Sequence, residues 1–357
     1  MNFTRRDFGK FALGSLPMAS VLMSTPGLLS ATPRAAGKPD SIYRGVQVGC
    51  IVPYSFHNES SKAEDILSYL LTDGISAVEM QAGTAEPFAG APQRVNPFAG
   101  GARRGPANPA ARRGGPGAPG ARRGGGRRQM TPEQIAAQKA AAEKMTAWRL
   151  SVPMSKYVEL RKMYDDAGVK IYAFKMDSGL PLTVPDAECD YAFNVAKALG
   201  ADQVTMELST DPKVTERIGH FALKHKMMVA YHYHTAARPN SWDVALSQSP
   251  YNGINIDTGH YVAAGNHDVL AFLQKHHDRI GSIHLKDRKY PGADGQPGPN
   301  MPWGQGDTPI VQILQLIRDQ HYTFPASIEL EYTVPAGSNS IIEVGKCRAY
   351  AQHALES

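Results

Sequence analysis

Short apolar runs alternate with longer segments of helical periodicity along most of the chain. The first run, RGVQVGCIV at 44–52, suits a buried strand, and the segment 62–71 places Ile66, Leu67 and Leu70 on one helix face. The same alternation recurs to the C-terminus, which predicts eight strand–helix units around a parallel sheet. The other predicted strands are ISAVEMQ at 75–81, VKIYAFKM at 169–176, ADQVTMEL at 201–208, KMMVAYHYH at 226–234, GINIDTGH at 253–260, GSIHLKD at 281–287 and FPASIELEY at 324–332.

Helices are predicted between these strands. One is expected to begin at Thr131, with Pro132 at its first position, and another over 153–167 is expected to stop at Gly168. The remaining predicted helices cover 186–199, 213–225, 242–248, 266–277, 310–319 and 341–355. Outside residues 1–36 and 88–128 about 280 residues remain, which suits the ~250 of a (β/α)8 TIM barrel, the fold class that we predict.

Polar and charged side chains close most of the predicted strands. In a TIM barrel the strand ends meet at one face, where catalytic residues converge. A doubly wound sheet is the competing architecture, but no GxGxxG follows an early strand and the polar residues do not gather at one switch point. The strand-end residues are Glu207, Asp257, His284, Lys286, Asp287, Arg288, Glu329 and Glu331.

A low-complexity stretch at 88–130 interrupts the pattern after the second strand. It consists largely of Gly, Pro, Ala and paired Arg, which offer almost nothing to bury, so we predict a disordered insertion in the second βα loop. Residues 87–132 hold nine Arg and no acid, and subtracting this +9 from the formal net charge of +5 leaves −4 for the rest. The high pI therefore does not indicate a basic active site.

The N-terminus resembles an export signal. TRRDFGK at 4–10 precedes an apolar run at 11–29 that has no polar face, which is the twin-arginine pattern rather than an amphipathic helix. We therefore expect a signal and linker at 1–36, a barrel domain at 44–355, and export of the folded protein to the periplasm by the twin-arginine (Tat) machinery. Beyond the signal no apolar run reaches the ~20 residues that cross a bilayer, so the mature protein is expected to be soluble.

Three strand-end residues suggest a metal site. Asp257, His284 and Glu329 close three successive predicted strands, and carboxylates with imidazole suit one divalent ion, either Mn, Zn, Mg, Co or Fe. Capping of the 266–277 helix by Asp257 is disfavoured, because that helix begins several residues later. Glu331 lies two residues after Glu329 and so on the same face of the strand.

The fourth ligand stays open from the residues alone. His232 and His234 in YHYH alternate onto one face at the end of the fifth strand, while Glu207 ends the fourth strand. Either His232 or Glu207 could complete the site. Glu331 is expected to pair with a cation, Lys286 or Arg288.

Four motifs carry a family resemblance. The segments INIDTGH, SIHLKDR, PWGQGDTPI and SIELEY, in this order after YHYH, resemble the sugar phosphate isomerase/epimerase-like superfamily, the xylose isomerase-like TIM barrels that include endonuclease IV. In relatives such as ketose 3-epimerases a Glu, an Asp, a His and a Glu at the ends of strands five to eight hold one divalent metal. The resemblance thus implies Asp257, His284 and Glu329 as ligands. His232 replaces the first Glu, as in a YHNH-like subgroup, so the resemblance implies either His232 or, from the fourth strand, Glu207 as the fourth ligand.

The resemblance implies an isomerase or epimerase acting on a sugar or sugar derivative. Such a site removes an α-proton and stabilises the enediolate with the metal. Glu207 is the expected base, Lys175 and Lys286 are expected as electrostatic partners or acids, and His234 is an alternative base. The expected substrate contacts are Glu79, His260, Arg288 and Glu331.

Other functions remain open at this point. A lyase or hydratase acting on 3-keto-glycosides would share the first proton abstraction, and its substrate would suit an exported enzyme. A non-catalytic barrel that binds metal or sugar is a further alternative, because fold does not determine function. Nucleic acid is not an expected partner, because the paired Arg lack interleaved aromatic residues. Barrels of this group often pair, so a homo-oligomer is possible.

Overall fold

Eight parallel strands close into a barrel in the computed structural model, which describes residues 37–93, 131–177 and 179–357. Strand β1 pairs with β8 on one side and with β2 on the other, so the sheet closes. The predicted fold class is confirmed. The strands are β1 (Val46–Val52), β2 (Ala77–Gln81), β3 (Lys170–Lys175), β4 (Gln203–Glu207), β5 (Met228–Tyr233), β6 (Asn252–Asp257), β7 (Ile280–Leu285) and β8 (Ala326–Ile328).

Helices follow the strands, mostly within a few residues of the predicted bounds. Gly168 takes the left-handed conformation after the helix that it was predicted to end, because glycine adopts positive φ without strain. The helices are α1 (Ala63–Asp73), α2 (Ala82–Phe88), α3 (Pro132–Ser151), α4 (Ser155–Ala167), α5 (Asp186–Leu199), α6 (Pro212–His225), α7 (Asp243–Gln248), α8 (Thr258–Ala263), α9 (Val269–His276), α10 (Ile310–Asp319) and α11 (Ser340–Glu356).

Three differences from the predicted elements bear on the site. The short helices α2 and α8 were not predicted, and β8 ends at Ile328, so Glu329 and Glu331 lie just beyond the strand. The predicted signal and most of the predicted insertion lie outside the described residues. Helix α3 belongs to a second compact unit of the chain.

The barrel core explains the apolar strand pattern. Every residue of β6 is buried, and β1 is buried apart from Gln47, because helices cover the outside of the sheet while side chains fill its inside. Among the described residues no helix is long and apolar enough to span a membrane.

The strand register brings the polar strand ends together. Asp257 lies opposite His284 between β6 and β7, and Glu207 lies opposite His232 between β4 and β5. Beyond β7 the chain forms a two-residue ribbon, in which Asp287–Arg288 pairs with Asn300–Met301. The carboxyl ends of the strands therefore converge on one mouth of the barrel.

Candidate metal centre

The four residues predicted as metal ligands meet at the barrel mouth. His232, Asp257, His284 and Glu329 each offer one ligand atom, and these atoms all lie within 4.8 Å of one another. All four residues are buried, with exposed fractions between 0% and 5%. Two carboxylates and two imidazoles at this spacing form a donor set that suits a divalent transition metal.

Three buried polar atoms of this cluster would suit a bound cation. Within the described part of the chain, Asp257 Oδ2, His284 Nδ1 and Glu329 Oε2 are buried without a hydrogen bond, and their contacts are ion pairs: His284 Nδ1 lies 2.7 Å from Glu329 Oε2, and Asp257 Oδ2 lies next to Lys286. Buried polar atoms normally have partners, because each unpaired group costs about 1–3 kcal/mol. One of these atoms comes from each of three predicted ligands, so a bound cation would satisfy all three at once.

The two histidines have opposite electrostatic surroundings. Burial, together with the charges of Lys175 and His284, holds the pKa of His232 well below its usual value, so His232 is neutral and can ligate. For His284 burial acts in the same direction, but Glu79 and Glu329 outweigh it and raise the pKa to about 9. A divalent ion beside His284 would take the place of that extra proton.

Asp257 has two roles, one of which was not expected. Its Oδ1 accepts the backbone N–H of His260 at 2.6 Å and so caps α8, a helix that begins immediately after β6. The expectation that Asp257 does not cap the helix predicted at 266–277 is confirmed, because Asp268 precedes that helix, α9; the helix that Asp257 caps was not predicted. The other oxygen, Oδ2, faces the cluster, where it makes an ion pair with Lys286.

Lys286 lies against the carboxylates of the cluster. Its Nζ is 2.9 Å from Asp257 Oδ2, 3.1 Å from Glu329 Oε1 and 2.6 Å from Glu331 Oε2. Burial acts to lower the pKa of Lys286, but the three carboxylates outweigh it and raise the pKa above its usual value. Lys286 is therefore a permanent cation, which suits the predicted electrostatic role and not that of an acid.

A chain of contacts connects Arg288 to Glu207. Arg288 Nη1 lies 2.6 Å from His260 Nδ1, and His260 Nε2 lies 3.2 Å from His234 Nδ1. His234 Nε2 lies 3.0 Å from Glu207 Oε2, and Lys175 Nζ lies 3.2 Å from Glu207 Oε1. Because Arg only donates, His260 accepts at Nδ1, while its Nε2 also lies 3.0 Å from a second donor, Lys286 Nζ.

A second group, of three histidines, lies beside the four candidate ligands. His232, His234 and His260 also place one nitrogen each within 4.8 Å of one another. Both nitrogens of His260, however, already have partners: Nδ1 contacts Arg288, and Nε2 contacts His234 and Lys286. The three histidines are therefore better described as a hydrogen-bonded chain than as a metal site. The substrate-binding roles predicted for His260 and Arg288 do not match their buried positions, since Arg288 is also bound to Gly298 O.

The geometry distinguishes the two candidates for the fourth ligand. His232 lies in the four-residue cluster, whereas both oxygens of Glu207 contact other partners, Lys175 and His234. Glu207 is also 40% exposed at its side chain, which leaves it accessible to a substrate. The position of His232 thus favours it as the ligand and leaves Glu207 for chemistry.

Glu79 and Glu331 differ in access to the mouth. Glu79 is fully buried and accepts hydrogen bonds from Thr205 and Asn255, so it cannot make the substrate contact predicted for it. Burial acts to raise its pKa, but His284 outweighs this and lowers the pKa below the usual value. Glu331 is 27% exposed at its side chain and accepts from the Tyr54 hydroxyl at 2.7 Å.

Tyr54 and Asn255 are site residues that the sequence analysis did not select. Tyr54 follows β1 directly, and its position at a strand end was the signal that could have identified it. Asn255 lies on β6 two residues before Asp257, so the two share a strand face.

The closed barrel and its polar mouth place the chain among (β/α)8 barrels with a site at the carboxyl ends of the strands. A family model described as the xylose isomerase-like TIM barrel matches residues 136–346. Because this match covers more than half of the 357 residues, the protein belongs to that family. Membership in a YHNH-like subgroup stays a prediction.

Solved structures share the fold at low sequence identity. A xylose isomerase domain protein from Alicyclobacillus acidocaldarius is 16% identical, with 87% of this chain and 99% of that chain covered and a TM-score of 0.53. The probable 3-DHS dehydratase AsbF of Bacillus anthracis is 13% identical (85% and 97% covered, TM-score 0.52). The IOLI protein, solved with a zinc atom, is 10% identical (87% and 98% covered, TM-score 0.53). These identities establish the fold alone, and no curated protein matches the chain.

Proposed function

We propose that this protein is a divalent-metal-dependent enzyme that abstracts the α-proton of a sugar or sugar derivative, as isomerases and epimerases do. The observation that carries the proposal is a buried four-ligand cluster beside an accessible base. The rings of His232 and His234 have centroids 4.8 Å apart, so the ligand cluster adjoins the Glu207–His234 pair. A bound ion would polarise a substrate carbonyl and stabilise the enediolate that follows proton loss.

Glu207 is the proposed base. Burial acts to raise its pKa, but the hydrogen bond from His234 and the charge of Lys175 outweigh this and lower the pKa below its usual value. The carboxylate is thus ionised and fixed between two donors, which is the state required of a base at neutral pH. His234 is more than half exposed, so the imidazole that donates to Glu207 Oε2 is itself open to solvent.

Two imidazole ligands bear on the choice of metal. Magnesium prefers oxygen ligands, whereas imidazole suits Mn, Zn, Co and Fe(II). The pair His232 and His284 therefore favours a transition metal over magnesium. A structural relative carries zinc, but its likeness supports only the fold.

A lyase or hydratase acting on 3-keto-glycosides is the second candidate. The observation that favours it is the pairing of the partly exposed Glu207 with His234, because the resemblance puts His232 in place of one of the two Glu that exchange protons in the epimerases. Elimination needs one base and one proton donor for the leaving group, a role that His234 at 3.0 Å from Glu207 could take. The two reactions differ in products and share the first step.

Solvent exchange tests the proposal. Metal-loaded protein is incubated with keto-sugars and 3-keto-glycosides in D2O, and NMR follows deuterium at the α-carbon together with any released aglycone. We expect exchange that falls at least 100-fold in Glu207→Gln, with metal content unchanged. The exposed Glu216→Gln serves as the control and should exchange like wild type. Bound metal without exchange on any substrate would instead support a non-catalytic binding barrel.

A further inference from the structure

A buried polar layer lies directly beneath the candidate ligands. It consists of Glu79 from β2, Thr205 from β4, Asn255 from β6 and Ser282 from β7, and each of these residues is 0% exposed. We call this set the inner polar layer. The proposed chemistry does not use it, yet burying four polar side chains inside a barrel is costly unless they bond to one another or to the site.

Glu79 is the acceptor at the centre of the inner polar layer. Its Oε1 accepts from Thr205 Oγ1 at 2.8 Å, and its Oε2 accepts from Asn255 Nδ2 at 3.0 Å. The same Oε2 lies 3.0 Å from His284 Nε2. A carboxylate only accepts, so His284 carries a proton on Nε2 on this side. Its Nδ1 lies 2.7 Å from Glu329 Oε2, and the proton held there is the one that a metal ion would replace.

Asn255 contacts the second histidine among the candidate ligands, His232. Its amide nitrogen is directed to Glu79 and to Ser282 Oγ, which lies 2.8 Å away. The amide oxygen therefore faces His232 Nδ1 at 3.3 Å, and an oxygen there can only accept. His232 thus carries its proton on Nδ1 and presents Nε2 to the cluster.

We propose that Glu79 and Asn255 are positioning residues that set the tautomers of the two histidine ligands, so that the metal binds Nδ1 of His284 and Nε2 of His232. This inference rests on the metal site of the proposed function and states how that site is built.

The expected cost of losing this support is large. Mutating a residue that hydrogen-bonds to a ligating histidine typically lowers metal affinity 10–100-fold. A glutamine at position 79 could turn its NH2 group toward His284, which would move the imidazole proton to Nδ1 and block ligation. A leucine at position 255 would remove the acceptor that holds His232.

Zinc affinity measured by chelator competition tests the inference. We expect Glu79→Gln and Asn255→Leu to bind Zn²⁺ 10–100-fold more weakly than wild type. Thr205→Val is the matched control, because Thr205 bonds to the same Glu79 but this bond reaches no histidine, and its affinity should stay within about threefold. Thermal unfolding of the metal-free proteins separates a loss of affinity from a loss of folding.

Histidine tautomers in the zinc-loaded wild type give a second readout that needs no variant. Long-range 1H–15N spectra of 15N-histidine-labelled protein should show protons on His284 Nε2 and on His232 Nδ1. The opposite tautomer at either residue would overturn the inference, as would Glu79→Gln binding zinc as tightly as Thr205→Val. A wild type that binds no zinc would overturn the proposed function together with this inference, whereas unaffected binding in Glu79→Gln would overturn the inference alone.

Discussion

Lys286 brings a fixed positive charge to the position that a metal ion would share. Its ammonium contacts Asp257 and Glu329, two of the four candidate ligands, and is 2% exposed at its side chain. The ammonium and a divalent ion therefore compete for the same carboxylates. This competition makes the metal-free protein stable at the expense of metal affinity.

Replacing Lys286 should lower the stability of the metal-free protein and raise its affinity for metal. In Lys286→Met the metal-free protein should lose about 3–5 kcal/mol of stability, because buried carboxylates are left uncompensated. Metal should bind at least tenfold more tightly and restore stability. Thermal unfolding with and without chelator measures both effects. The control is Lys289→Met, which removes an exposed pair with Asp307 and should change neither; a Lys286→Met protein with weakened metal binding would contradict the account.

Asp73, which lies far from the barrel mouth, should make the stability of the folded protein depend on pH. Burial raises the pKa of this carboxyl to about 7, although Arg348 acts to lower it, and Asp73 Oδ2 has no hydrogen bond among the described residues. The negative charge also ends α1, where the helix dipole opposes it. The folded protein therefore binds an extra proton between about pH 4 and pH 7, and its stability falls as the pH rises through this window.

Removing the charge of Asp73 should remove this dependence of stability on pH. Asp73→Asn should gain roughly 1–3 kcal/mol over wild type at pH 8, and much less at pH 5, in urea unfolding at both values. The exposed Asp202→Asn controls for the substitution itself. Equal differences at pH 5 and pH 8 would show that Asp73 is not the titrating group.

At the scale of elements, the contact between α8 and the end of β7 is tight. A Cβ added at Gly259 would lie 2.6 Å from the backbone oxygen of Lys286 and 2.9 Å from its Cβ. Backbone cannot yield as a flexible side chain can, so α8 would move away and carry Asp257, its cap, out of the cluster.

Gly259→Ala should therefore weaken both the fold and the site. We expect a loss of about 1–3 kcal/mol and metal binding reduced about tenfold, measured by thermal unfolding and chelator competition. Gly83→Ala in α2 is the comparison, because its Cβ would make only an ordinary contact at 3.5 Å. Normal metal affinity in Gly259→Ala would show that α8 does not position Asp257.

The same elements show the limits of prediction from sequence. The apolar alternation identified all eight barrel strands, because buried strands need continuous apolar runs. It missed α8, since TGHYVA is a single short turn without a helical period. It also placed Glu79 at the mouth, although this residue lies two positions before the end of β2 and so one layer deeper. Depth inside a barrel depends on the stagger between strands, which local sequence does not encode.

At the scale of the molecule, the convergence of distant residues was predictable and their division of roles was not. His232, Asp257, His284 and Glu329 meet because a closed parallel barrel gathers its strand ends at one mouth. Whether His232 or Glu207 joins the ligands depends on contacts with Lys175 and His234 that only the folded barrel creates.

Export is a separate proposal for the whole molecule. We propose that the twin-arginine motif directs the folded protein to the periplasm, because Arg5 and Arg6 precede an apolar run without a polar face. Cell fractionation of the double variant Arg5→Lys, Arg6→Lys should find the protein retained in the cytoplasm. Unchanged periplasmic localisation of this variant would contradict the proposal.

The most direct test of the central claim is metal analysis of the purified protein by plasma mass spectrometry, with His284→Ala, His232→Ala and Glu207→Ala beside wild type. We expect roughly one equivalent of a divalent metal in wild type and in Glu207→Ala, and its loss in both histidine variants. A wild type that stays metal-free after incubation with Mn, Zn and Co would contradict the metal centre. Loss in Glu207→Ala with retention in His232→Ala would contradict the assignment of the fourth ligand.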